Sequence, residues 1–254
     1  MIELDRLSKR FADGPFAVRD VSLSVAQGEF LVLIGESGSG KTTTLNMINR
    51  LTEPTSGRIL IDGRDIRDAD PVTVRRQMGF VFQEVGLFPH MTVEENIAIT
   101  PRLLGWPQND IAARVRELLE LVKLDGADAA QRFPAQLSGG QRQRAGLARA
   151  LAAKPRLMLM DEPFGALDAL IRDELAADYR AIHDSLGLTT ILVTHDMTEA
   201  FLLADRIAVM RDGALLQVAS PKDLAANPAN DFVRAMIDIP RQRAKRLAAA
   251  MLSA

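Results

Sequence analysis

Phe30-Leu31-Val32-Leu33-Ile34 runs directly into Gly35-Glu36-Ser37-Gly38-Ser39-Gly40-Lys41-Thr42, and this junction decides the fold. The apolar run has the length and composition of a strand buried on both faces. The segment after it fits G-x-x-x-x-G-K-[ST], the spacing of a loop that wraps phosphate. Glycines bring the backbone close to an anion without Cβ clashes. A helix opening at Lys41 would add unpaired N–H groups and a partial positive charge. In that arrangement Lys41 reaches the β- and γ-phosphates of a nucleotide and Thr42 ligates Mg²⁺. A glycine-rich turn with a solvated lysine has the same local composition, but the strand before it and the helix after it favour the nucleotide.

Similar apolar runs recur at Met78–Phe82, Leu157–Met160, Thr190–Val193 and Ile207–Met210. Helical patterns separate them. Ile111, Val115, Leu118, Leu119 and Val122 repeat at helical spacing, and Leu170–Leu186 reads as a helix ending before Gly187. Strands alternating with helices predict a parallel sheet in an α/β fold. The first 30 residues differ: short alternating segments broken by Asp13-Gly14-Pro15 and Gln27-Gly28 suggest antiparallel strands on the sheet edge. Residues 87–150, mostly helical between two strands, read as an inserted helical lobe. One domain is expected over 1–240, followed by a short basic tail, 241–254, with four positive charges and no acid.

A chain of 254 residues allows one large domain or a domain with an inserted lobe. Its 47% hydrophobic and 25% charged residues exclude a disordered or low-complexity chain. It has no cysteine, which excludes disulfides, thiolate catalysis, iron–sulfur clusters and Cys-based zinc sites. With only His90, His183 and His195, a His-rich metal site is not expected. A net charge of −2 argues against a basic nucleic-acid binder. The start, MIELDRLSKR, carries no secretory signal, and no apolar run approaches the ~20 residues of a membrane span. A cytoplasmic chain is expected, which another chain must hold if it works at a membrane.

Leu157-Met158-Leu159-Met160-Asp161-Glu162-Pro163 places paired carboxylates at the end of a buried strand, where ligands sit in α/β sheets. Asp161 would hold Mg²⁺, and Glu162 would orient or deprotonate an attacking water. A strand-terminal turn with solvated acids is the bland alternative, weakened by the phosphate loop. Leu137-Ser138-Gly139-Gly140-Gln141 reads as a serine N-cap with glycines opening a helix through Arg142 to Ala153. That makes a second anion-binding helix start, and suggests two copies clamping shared nucleotides.

In this order the motifs resemble those of ATP-binding cassette (ABC) ATPases, and the likeness covers about residues 1–240. The resemblance implies a P-loop NTPase core of RecA-like type, an N-terminal antiparallel β subdomain and an inserted α-helical subdomain. It places Phe11 at the adenine-stacking aromatic, where the family often has tyrosine. It assigns Gly35, Glu36, Ser37, Gly38, Ser39, Gly40, Lys41, Thr42 and Thr43 to the nucleotide and Gln83 to a loop that senses Mg²⁺ and the attacking water. Ser138, Gly139, Gly140 and Gln141 form the signature facing the partner's nucleotide. Asp161 and Glu162 are the metal-binding and catalytic acids. Asp168, in the D-loop Ala166-Leu167-Asp168, acts across the dimer interface, and His195 contacts the γ-phosphate. The family implies ATP, Mg²⁺ and a head-to-tail homodimer with two ATP between the subunits.

The stretch Gln83–Ile97, with Pro101–Trp106, Glu162–Asp168 and Asn227–Val233, resembles ATPases of osmoprotectant importers for glycine betaine, choline and related quaternary amines. Expected partners are integral membrane permease subunits and, indirectly, a periplasmic or lipid-anchored solute-binding protein, with no nucleic acid. The chain would then sit at the inner face of the cell membrane through the permease. Several such ATPases continue into regulatory CBS domains after the core; none is expected in this sequence. Gly86–Ile97 would receive a coupling helix of the permease, with Leu87, Phe88 and Met91 expected to be exposed. The basic run Arg241–Arg246 reads as a solvated helix end, with anionic lipid or the partner subunit as the alternative. A non-transport cassette or an exporter ATPase would share the same chemistry.

Overall fold

The computed structural model describes residues 1–12, 14–124 and 128–252. Asp13 of the expected first turn and the last two residues of the tail lie outside them. In chain order the elements are β1 (Ile2–Arg10), β2 (Phe16–Val25), β3 (Phe30–Ile34), α1 (Lys41–Ile48), β4 (Ser56–Ile61), β5 (Arg64–Asp65), α2 (Pro71–Arg76), β6 (Met78–Val81), α3 (Val93–Leu103) and α4 (Gln108–Leu121). They continue as α5 (Gly139–Leu151), β7 (Leu157–Asp161), α6 (Ala169–Leu186), β8 (Thr189–Thr194), α7 (Met197–Leu203), β9 (Arg206–Arg211), β10 (Ala214–Ala219), α8 (Pro221–Ala226) and α9 (Asp231–Leu252). Among the described residues, no helix is long and apolar enough to cross a membrane.

β3 anchors a six-stranded sheet of order β10-β9-β3-β8-β7-β6. It pairs in parallel with β8 (Phe30↔Thr190 to Ile34↔Thr194) and with β9. All five of its residues are buried, and their alternation divides the core. Phe30, Val32 and Ile34 face a cluster built with the helices around α5 and α6. Leu31 and Leu33 face a second cluster shared with α1 and the N-terminal strands. β7 pairs with β8 and β6 in the same direction. Parallel register therefore brings the carboxyl ends of β3, β7 and β8 side by side, and the residues that follow them share one edge of the sheet.

The N-terminal strands correct one expectation. They do not extend the edge of the parallel sheet but form a separate four-stranded sheet, β2-β1-β4-β5. The reason is β4, which pairs antiparallel with β1 (Ile2↔Ile61, Leu4↔Ile59) and takes the edge β1 would have offered. The edge of the parallel sheet is instead β10, folded back on β9 through Asp212 and Gly213, both at positive φ.

α3, α4 and α5 lie between β6 and β7 in sequence and pack on one another. α5 starts at Gly139, as the Ser138 cap and the two glycines predict: Ser138 caps it and Gln141 returns the bond to the Ser138 backbone. α6 ends at Gly187, in the left-handed conformation. The segment before α3 is less open than expected. Phe88 is exposed, but Leu87 and Met91 are half-buried. The buried Asn96 amide ties this segment down, donating to the Phe88, Met91 and Thr92 carbonyls (3.2, 3.1 and 2.9 Å) and accepting from Phe88 N–H (2.8 Å). The tail continues α9 through Pro240, and Arg241, Lys245 and Arg246 are solvent-exposed.

Candidate active site

The phosphate loop closes around its lysine. Lys41 is 5% exposed, and its Nζ donates to Gly35 O (2.8 Å), Glu36 O (2.8 Å) and Ser39 Oγ (3.2 Å). Burial lowers the ammonium pKa, while Glu162 and Asp161 act in the opposite direction. The first amides of a helix have no intrahelical acceptor, and the residue before α1, Gly40, has no side chain to satisfy them. These amides, the lysine and the exposed Glu36-Ser37-Gly38 turn form a cradle fitted to an anion. A Cβ on Gly35 would lie 2.2 Å from Met210 O, and one on Gly40 2.4 Å from Ala17 O. Gly35 is therefore needed for close approach to β9 of its own sheet and Gly40 for packing against β2 of the other, as well as for access to phosphate. Thr42 is exposed and Thr43 half-buried in the first turn of α1.

Thr42 Oγ1 donates to Asp161 Oδ1 (3.0 Å), which joins the loop to the end of β7. Burial raises the Asp161 carboxyl pKa and Glu162 adds to this, against the Thr42 hydrogen bond and Lys41. Asp161 and Thr42 offer hard oxygen donors, and among the described residues no cluster of three or more His, Cys, Asp or Glu forms a cage. That set fits Mg²⁺, which keeps waters and takes phosphate oxygens beside one or two protein ligands.

Glu162 follows Asp161 at φ 43°, a left-handed conformation unusual for a glutamate. The cost of such a conformation is about 1–3 kcal/mol. It is held by the Glu162 N–H, which donates to Val193 O (2.9 Å) across the sheet end. The turn aims the carboxylate back over the edge. There Glu162 Oε2 meets His195 Nδ1 (3.1 Å) and Gln83 Nε2 (3.4 Å). Three residues from the ends of β6, β7 and β8, far apart in sequence, thus meet at one carboxylate oxygen. The His195 side chain is 62% exposed, and with Nδ1 engaged its Nε2 remains available.

The other expected site residues stand apart. Ser138 and Gln141 bond each other (3.0 and 3.2 Å), and Gly140 packs so tightly on α6 that a Cβ would lie 2.8 Å from Ile171 Cγ2. Asp168 is exposed and caps α6 through Ile171 N–H (3.1 Å). No hydrogen bond described for these residues reaches Lys41, Thr42 or Glu162. Phe11 is 53% exposed and carries Lys9 Nζ 4.9 Å from its ring centroid. That exposure makes it a surface aromatic rather than a core residue.

Two groups escaped the sequence reading. Arg149 on α5 is half-buried, and its guanidinium donates to Val85 O (2.7 Å) and Gly86 O (2.6 Å) just after Gln83. Thr194, Asp196 and Glu199 flank His195 in a hydrogen-bonded set. Asp196-Met197-Thr198-Glu199 has the cap-x-x-Glu spacing of a helix start, a signal sufficient to find that cap.

The comparisons agree with this geometry. A family model described as ABC transporter matches residues 18–165. The chain is 51% identical over 93% of its length to the glycine betaine/carnitine/choline transport ATP-binding protein OpuCA of Bacillus subtilis, and spans 62% of that relative. It is 49% identical over 92% of its length to the glycine betaine uptake system ATP-binding protein YehX of Escherichia coli, covering 75% of it. A solved ATP-binding cassette dimer in a post-hydrolysis state with ADP and phosphate superposes with a TM-score of 0.78 at 33% identity, covering 87% of this chain and 99% of that one. A phosphate loop and two acids on one sheet edge, a capped signature helix set apart from them, and these matches have one explanation: the chain belongs to the ABC transporter family.

Proposed function

We propose that this chain is an ATP-hydrolysing subunit that dimerises head-to-tail and powers a membrane permease importing a small solute of the quaternary-amine class. The observation that carries the chemistry is the convergence of Gln83 and His195 on Glu162, one residue beyond the Asp161–Thr42 pair. Lys41 and the amides opening α1 bind the phosphates and balance their charge. Thr42 and Asp161 would hold Mg²⁺, which would supply neutralising charge at the phosphates. Glu162 accepts a proton from the attacking water, and its strained turn fixes the carboxylate in line. Gln83 and His195 hold that carboxylate, and His195 Nε2 faces the transferred phosphoryl group.

Ser138, Gly139, Gly140 and Gln141 stand apart from Lys41 because they serve the nucleotide of the second subunit, beside Asp168. Phe11 stacks on the adenine. A groove of about 410 Å³ between α2, β6, α3 and α5, lined by Val72, Phe82, Phe88 and Leu103 among others, takes a coupling helix of the permease. The exposure of those four apolar side chains supports a partner there. The resemblance along Gln83–Ile97 supports the solute class.

Glu162→Gln tests the chemistry. It should lower turnover by ~10²-fold or more, within the range of about 10²–10⁴ for a lost general base. ATP binding should be retained, and the subunits should elute as a dimer with ATP in size-exclusion chromatography. Turnover at the wild-type rate would remove Glu162 from the role of base. A co-purifying permease whose binding protein takes an inorganic anion would overturn the solute class and leave the hydrolysis standing.

A further inference from the structure

One guanidinium near the site touches none of the reacting groups. Arg172 lies in the first turn of α6, and its Nη2 donates to the carbonyl of Leu167, the residue before Asp168 (2.9 Å). Its Nη1 reaches Oδ2 of Asp196, the residue after His195 (3.4 Å). Its Nε is buried with no hydrogen-bond partner, and Glu199 Oε1 stands 4.0 Å away. A buried donor without an acceptor requires an explanation.

The carboxylates that face Arg172 are themselves tied to both neighbours of His195. Asp196 Oδ1 accepts from Thr198 N–H (2.7 Å) and Glu199 N–H (3.4 Å), capping α7. Asp196 N–H donates to Thr194 Oγ1 (3.0 Å), and the Thr194 hydroxyl donates to Glu199 Oε2 (2.6 Å). Glu199 is buried, and its carboxyl pKa is raised by that burial and by Asp196, against Thr194, Arg172 and His195. Arg172 is thus the cation joining two strands of structure: the loop that ends at Asp168 and the turn that carries His195.

We propose that Arg172 is a positioning residue for ATP hydrolysis: it fixes the distance between Ala166–Asp168 and His195, and so holds His195 on Glu162. The proposal rests on the roles given above to His195 and Asp168. A guanidinium suits the task because its planar fork engages a carbonyl and a carboxylate at a set angle, which an ammonium cannot do. The 4.0 Å separation from Glu199 Oε1 leaves Nε an acceptor within a small shift. Engagement of Asp168 at the dimer interface then moves the His195 turn through one rigid side chain. A purely structural ion network would behave differently, since its loss lowers stability and leaves turnover per folded molecule unchanged.

The test compares kcat, KM and the Kd for ATP in the full chain and in Arg172→Ala, Arg172→Lys and His195→Ala. Arg172→Ala should lower kcat about tenfold or more, with KM and Kd within about twofold of the parent. Arg172→Lys should recover part of the loss, because one of the two contacts can be remade. If Arg172→Ala does not fold, Asp196→Asn removes the charge at the other end while keeping a capping side chain. It should show the same split at about threefold or more. A kcat within about twofold of the parent, or a kcat loss matched by an equal loss of ATP affinity, would overturn the proposal. Full turnover in His195→Ala would instead overturn the site reading on which it rests. An inactive His195→Ala beside a fully active Arg172→Ala would overturn this inference alone.

Discussion

Gly38 and Gly40 look alike in the motif, but the structure asks different things of them. Gly38 has φ +79° and open space where a Cβ would stand. Gly40 has φ +100° and would place its Cβ 2.4 Å from Ala17 O. Gly38→Ala should therefore cost only the left-handed conformation, about 1–2 kcal/mol. Gly40→Ala adds a clash with backbone that cannot rotate away, and should cost about 3 kcal/mol or more. Urea unfolding of both variants without nucleotide reads the difference directly, and equal losses would mean that the contact with β2 is not tight in solution. At this scale the motif was fully legible in the sequence, because phosphate chemistry fixes residue types at fixed spacing. The neighbour Ala17 was not, because it comes from a strand of the other sheet. The same limit applies to Glu162, whose positive φ no spacing announces.

α5 joins two parts of the site through one glycine. Its N-terminus carries the signature, and Gly146, midway along, faces the segment after Gln83, where a Cβ would lie 2.3 Å from Val85 Cγ1. Arg149, one turn on, holds the Val85 and Gly86 carbonyls. Gly146→Ala should stabilise the helix by about 1 kcal/mol through propensity alone, but in the native chain the collision with Val85 opposes that gain. In a Val85→Ala background the propensity gain should reappear. The double-mutant cycle is expected to give a coupling of about 1 kcal/mol or more. Additive effects in chemical unfolding would show that α5 and this segment are not packed as described. Buried parallel strands such as β3 and β8 were readable because both faces are apolar. β4, β5 and β10 were missed because short, partly buried strands show no clean alternation of burial along the chain. The start of α5 was readable because its serine cap and glycines set the boundary, which apolar periodicity alone does not report.

Across the whole molecule, the phosphate loop is held between the two sheets. Arg19 N–H donates to Gly213 O (2.7 Å), joining β2 to the β9–β10 turn, and Gly213 N–H donates to Ser39 O (3.2 Å). The groove lies elsewhere, bounded by β6, whose far end leads into Gln83, and by α5, which holds the segment after it. A partner in the groove therefore touches the elements that place Gln83 and the signature, and hardly those that hold the phosphates. This separation yields a directional expectation. Leu103, 58% exposed on the groove, can be changed to Glu without touching Lys41, Thr42 or Glu162. Leu103→Glu should strongly reduce recovery of the chain with solubilised membranes and a multi-span permease, because a buried unpaired carboxylate is costly at an apolar interface. ATP affinity of the purified chain should stay within about twofold, well under the 1.4 kcal/mol that a tenfold change represents. Undiminished membrane recovery would move the docking surface away from the groove. A parallel loss of ATP affinity would mean that groove and phosphate loop are coupled through the β6–β7 side of the sheet, and that nucleotide binding is sensed at the permease surface without passing through Gln83.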